Sequence, residues 1–153
     1  MGKVLLDEGK KNVVLCYWAY GAGKQSAQGF KDGFEPLGGK VIKEIGIPFP
    51  KVEFQSALTE IASIKPDAVY VFFAGGGAVK FVKDWAAAGL KGKIELTGAG
   101  FLTEGVTKAQ GAAAEGIRTT LHYADTLDLP ANHAFRGAYQ KAYGKPADVF
   151  AVQ

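Results

Sequence analysis

The chain carries little covalent or catalytic equipment. Its single cysteine, Cys16, can form no intrachain disulfide, so the sequence says nothing about redox compartment. Cys16 ends the apolar run NVVLC, where a thiol is ordinarily an inert core group; a pairing with His122 is the one conceivable exception. There are only two histidines, His122 and His133, and neither has a second histidine at metal-binding spacing. No nucleophile–base pair stands out, and no run approaches the ~18 apolar residues needed to span a bilayer. The opening MGKVLLDEGKK places charges on both sides of a short VLL, which is not the pattern of a signal peptide. Charge of one sign is scarce as well. A net +3 from dispersed lysines argues against a nucleic-acid partner. These absences lead us to expect no catalysis, no metal and no cofactor.

Glycine is abundant, 21 in 153 residues, and it gathers at junctions rather than in a linker. Five β-rich runs begin at positions 12, 40, 67, 93 and 116: NVVLCY, KVIKEIGI, DAVYVFF, KIELTG and GIRTTLHY. The second and fifth alternate in polarity and suit sheet edges; the others read as buried strands. Helical patterns lie between them. Ala27, Phe30, Phe34 and Leu37 form one stripe, stopped by Gly38-Gly39. Phe54, Leu58, Ile61 and Ile64 form a second, and Ala78, Phe81, Val82, Trp85 and Ala86 a third, closed by Gly89. A short helix is expected at 103–110, another ahead of the first strand at about 3–9, and a last one on Phe135, Ala138, Tyr139 and Tyr143. The alternation predicts an α/β fold: a flavodoxin-like or Rossmann-like three-layer sandwich, with a mostly parallel five-stranded sheet and helices on both faces. One unit over 1–153 is expected, with Asp148 capping a last helix that is cut short.

In such a sheet every strand-to-helix loop leaves from one edge, and ligands bind there. That edge gathers WAYGAG, PFPKVE, AGGGA (74–78) and GAGFL (98–102). Three of these four junctions are glycine-rich and free of acidic side chains. Either the glycines make tight turns, or they let a ligand approach the backbone. A phosphate cradle is the first idea that YGAGK prompts. With Gly23-Lys24 as the Gly-Lys pair, the first glycine falls on Trp18 and the hydroxyl on Gln25, so two fixed positions fail. In the dinucleotide fingerprint, Gly21 and Gly23 fit but the third glycine is Ser26, and no acidic residue ends the second strand. Trp18 and Tyr20 instead suit an organic ligand, with Trp18 equally readable as a half-buried packing residue.

The stretches VVLCYWAYGAGKQSAQGFKDGFEPLGGKV, KPDAV, AGLKGK, TGAGF and NHAFRGAY resemble the type I periplasmic binding proteins, in particular the branch serving ABC importers of branched-chain amino acids and aromatic acids. The resemblance covers nearly the whole chain but only the second lobe of those two-lobed proteins. It implies a parent protein in the periplasm, a missing first lobe, an ABC permease as partner, a small-molecule solute, and weak or no binding by this lobe alone. It implies a binding surface of Trp18, Ala19, Tyr20, Gly21, Ala74, Gly75, Gly76, Gly100 and Phe101. Tyr20 matches the tyrosine that packs on the ligand; Ala74 and Gly75 match a position where amino-acid binders often carry tyrosine. Gly100 matches the position where those binders carry the glutamate that holds the ligand ammonium. Burying an ammonium without a counter-charge costs several kcal/mol. The ligand implied is therefore neutral or acidic, and aromatic. An uncovered half-cleft also leads us to expect self-association, as a homodimer that covers that surface. The effector lobe of a sensor or transcription regulator, and a flavodoxin-like nucleotide-binding enzyme, remain the alternatives.

Overall fold

The computed structural model describes residues 1–152. These residues fall into two compact units, 1–120 and 121–152. The first unit holds helix α1 (Gly2–Asp7), strand β1 (Asn12–Trp18), α2 (Gly21–Phe34), β2 (Lys40–Ile47), α3 (Gln55–Ile64), β3 (Ala68–Phe72), α4 (Gly75–Ala87), β4 (Glu95–Ala99), α5 (Thr107–Gln110) and β5 (Arg118–Thr120). The sheet is wholly parallel in the order β2-β1-β3-β4-β5. The α/β sandwich expected from the alternating pattern is therefore present, with the two alternating strands at the edges.

Strand parity divides the core. Val14, Cys16 and Trp18 of β1, with Val69 and Val71 of β3, pack under Phe54, Leu58 and Ile61 of the α3 segment and Phe81, Val82 and Trp85 of α4. Val13 and Leu15, with Ala68 and Tyr70, face Leu5 of α1 and Ala27, Phe30 and Phe34 of α2. Three of the four expected α2 residues are buried, but Leu37 is 58% exposed. Pro36 has no amide hydrogen, and the helix gives way to a 3-10 turn at Glu35–Leu37 that rotates Leu37 outward. Gly38 (φ +95°) and Gly89 (φ +69°) supply the left-handed stops. β5 is shorter than its sequence run. Its last partner is Ala99, because the backbone of β4 turns at Gly100 and leaves residues beyond Thr120 unpaired.

At the opposite, amino-terminal edge of the sheet, Arg118 grips both carboxylate oxygens of Glu8 and also Glu95, and Lys10 bridges the same two acids. The Arg118 hydrogen bonds bring the Glu8 carboxyl down from its ordinary 4.5 to about 2. Glu95 is partly desolvated, which works the other way, yet Lys10 and Arg118 still hold it below the ordinary range. Asp67 is lowered chiefly by the Asn12 amide. A carboxylate whose folded value is depressed stabilises the fold above its unfolded value and loses that contribution as pH falls through the folded value. Thermal melts should therefore be flat from pH 7 to about 4.5 and fall between about 4.5 and 2. Arg118→Gln should weaken that acid limb; an unchanged limb would show that the network contributes nothing.

The second unit contains α6 (Pro130–Tyr143) and a 3-10 turn at Val149–Val152. Asn132 holds it together, accepting from the Tyr123 hydroxyl at 2.7 Å and donating to the Asp125 and Leu127 carbonyls. The aromatic stripe forms a ladder, Phe135–Tyr139 at 5.9 Å and Tyr139–Tyr143 at 4.6 Å between ring centroids. It is not a buried face: Tyr143 is 67% exposed. Asp148 caps the final turn as its sequence position predicts, accepting from the Phe150 and Ala151 amides. Gln153 lies outside the described residues.

Candidate functional site

β1 and β3 are adjacent, and their outgoing helices leave for opposite faces of the sheet. This is the switch point of a doubly wound sheet, where a crevice opens at the carboxyl ends of the strands. The helices α2 and α4 both begin there. Neither has a side-chain hydrogen bond at its N-cap (Tyr20 and Ala74) nor an acidic residue in its first turn. Two positive helix ends are thus left to whatever enters the crevice, a setting that favours an anionic group.

The glycines of these loops divide into two kinds. A Cβ on Gly23 would lie 1.9 Å from the Trp18 carbonyl oxygen, and one on Gly77 would lie 2.3 Å from the Trp18 ring. Those two are packing positions. Gly21, Gly75 and Gly76 are exposed, with nothing near the place of a Cβ. Gly75 also has φ +52°, a conformation that favours glycine. Gly23 and Gly77 are thus required by packing on Trp18, while Gly21, Gly75 and Gly76 leave their backbone open.

Tyr20 is 37% exposed at the mouth. Its ring lies 6.3 Å from that of Phe72, which in turn meets Phe101 edge-on at 6.2 Å. Phe49, from the loop after β2, packs on Tyr20 at 5.0 Å. Trp18 is placed differently from Tyr20. It is 6% exposed, its indole N–H donates to the Lys51 carbonyl at 3.0 Å, and it stacks edge-on against Phe73 and Phe49. It supports the crevice from below instead of presenting an open ring. Ala19 is exposed, tied to β2 through its amide on the Ile47 carbonyl. Ala74 is half-buried, and its carbonyl starts the α4 ladder at Ala78. Gly100 is buried, with its carbonyl taken by the amides of Thr103 and Glu104.

Sequence reasoning missed Phe72 and Phe49. Parity along DAVYVFF could have found Phe72, because it shares a side with Tyr70 and not with Phe73.

Catalytic chemistry gains no residues. Burial pushes the Cys16 thiol up to about 12, so it carries no thiolate at neutral pH. His122 lies past the end of β5 and not on it, and His133 is exposed and paired with Asp128 at 2.8 Å within the second unit. No group of three or more His, Cys, Asp or Glu side chains could hold a metal among the described residues. No helix among them is long and apolar enough to cross a membrane.

At the switch point, aromatic rings therefore rim a surface onto which two uncapped helix N-termini open. Residues 1–153 match the family model described as periplasmic binding protein, and the chain belongs to that family. It is 53% identical to the solute-binding protein of an ABC transporter from R. palustris whose crystal structure contains benzoate, with a TM-score of 0.88. That match covers 99% of this chain and 41% of the other. A second R. palustris solute-binding protein, in complex with 4-hydroxybenzoate, is 29% identical with a TM-score of 0.90, covering 99% of this chain and 42% of that one. Among curated proteins, the Leu/Ile/Val-binding protein homolog 6 of Brucella melitensis is 34% identical over 152 residues, 97% of this chain and 39% of the relative. The chain thus spans about two fifths of the length of the relatives it matches.

Proposed function

We propose that this chain is the second lobe of an ABC importer's solute-binding protein and takes an aromatic carboxylate. The observation that carries the reading is the crevice itself. It has Tyr20 and Phe101 at its rim, braced by the buried Phe72, two uncapped helix N-termini, and glycine where an ammonium-binding carboxylate would stand. The rim accepts a ring by burial and edge contact. At Gly100 the crevice has no carboxylate to pair with an α-ammonium. The 53% identity to a benzoate-bound protein supports the same ligand class. The parent protein then works in the periplasm and delivers its solute to an ABC permease.

One wall of a cleft buries a small part of a ligand, so the chain alone binds weakly, with a dissociation constant of about 1 mM or above. Ligand-observed saturation-transfer NMR suits that range. Benzoate and 4-hydroxybenzoate should give signals that Tyr20→Ala removes or weakens at least threefold. Tyr20 is exposed enough for the fold to tolerate the change. Equal or stronger signals from leucine, insensitive to Tyr20→Ala, would overturn the reading.

A further inference from the structure

Gln110 ends α5 and is 2% exposed, a polar side chain inside the core of the first unit. Its Nε2 donates to the Leu102 carbonyl at 2.7 Å and to the Ala78 carbonyl at 3.3 Å. Its Oε1 is buried with no hydrogen-bond partner. The orientation of the amide is fixed by chemistry, because both neighbours are carbonyls and accept only.

The two carbonyls belong to two different walls of the crevice. Ala78 lies in the first turn of α4, two residues after Gly76. Leu102 closes the 3-10 turn Gly100–Leu102 that carries Phe101. One carboxamide therefore ties the α4 N-terminus to the Phe101 turn from beneath. An apolar side chain of the same shape would fill the space but leave the buried Leu102 carbonyl without this donor, so what the carboxamide adds is the tie itself.

We propose that Gln110 is a positioning residue for the crevice, holding Phe101 and the Gly75–Gly76 amides in the mutual arrangement a ligand meets. This rests on the reading of the crevice as the aromatic-carboxylate site.

The first test uses the unaltered chain without ligand. The Gln110 carboxamide protons should exchange with solvent at least tenfold more slowly than those of exposed Gln28. Exchange at the same rate would overturn the clamp. The second test is Gln110→Met, which keeps the shape and removes the donor. Amide exchange at Ala78 and Thr103 should accelerate at least tenfold and the Phe101 signals should move, while Val13 and Val14 in β1 stay protected. Benzoate binding should fall at least tenfold in the same variant. Unchanged Phe101 signals, or unchanged benzoate binding beside a loosened Ala78 and Thr103, would overturn the positioning role. An absence of any benzoate response in the unaltered chain counts against the ligand reading instead, and the exchange results still decide the clamp.

Discussion

Alanine at Gly23 is expected to lower the stability of the fold by about 2–4 kcal/mol, a drop in melting temperature of roughly 5–15 °C. The added methyl would sit 1.9 Å from the Trp18 carbonyl oxygen, which is backbone and cannot rotate away. Moving that carbonyl would disturb the adjoining turn, where the Tyr20 amide bonds the same oxygen at 2.8 Å and the Ala19 amide bonds Ile47. Alanine gains about 1 kcal/mol over glycine inside a helix, which offsets only part of the clash. Gly29→Ala in the same helix is the control. Nothing lies near its Cβ position, so it should stabilise by about 0.5–1 kcal/mol. Thermal melts of the two variants side by side decide the matter. Equal and unchanged melting temperatures would mean that the loop has slack this geometry does not show. Gly77→Ala should behave like Gly23→Ala, and because its methyl meets the Trp18 ring, it should also shift the tryptophan emission.

The second large effect concerns ligand choice. Gly100→Glu should weaken benzoate binding at least about threefold, enough to remove a signal that is already at the millimolar limit. Gly100 is buried at the head of the turn that carries Phe101. A carboxylate introduced there would add a negative charge beside the ligand carboxylate, and like charges repel, less so where water screens them. The same substitution gives an α-ammonium the counter-charge the crevice lacks, so leucine should gain relative to benzoate. Saturation-transfer signals read both changes, and protected Val13 and Val14 amides verify that the sheet persists. Benzoate binding that survives the substitution would place the ligand carboxylate elsewhere.

Much of this architecture was legible because local signals agreed with tertiary ones. Apolar runs and glycine stops located five strands, and polarity alternation put β2 and β5 at the edges. Legibility failed where a partner in space decides the outcome. β5 ends early because β4 turns at Gly100, which nothing in GIRTTLHY records. The α6 stripe has helical spacing but is not buried, and spacing alone cannot say whether a partner exists. Among the candidate site residues, the glycine-rich junctions were enough to expect Tyr20, Gly75 and Gly76 at the strand ends, whereas Phe101 was expected from the resemblance. Trp18 was ambiguous by residue type but not by parity, since it shares a side with Val14 and Cys16. Gln110 reads as a surface residue of a short helix, and only the two converging carbonyls give it a role.

The most direct test of the central claim is a ¹⁵N–¹H correlation spectrum of the chain, titrated with benzoate and, separately, with leucine. The account predicts concentration-dependent shifts of the Tyr20, Gly75, Gly76 and Phe101 amides with benzoate, and none with leucine. Shifts of those amides with leucine alone would contradict it. So would benzoate shifts confined to the opposite edge of the sheet, around Lys93 and Glu95.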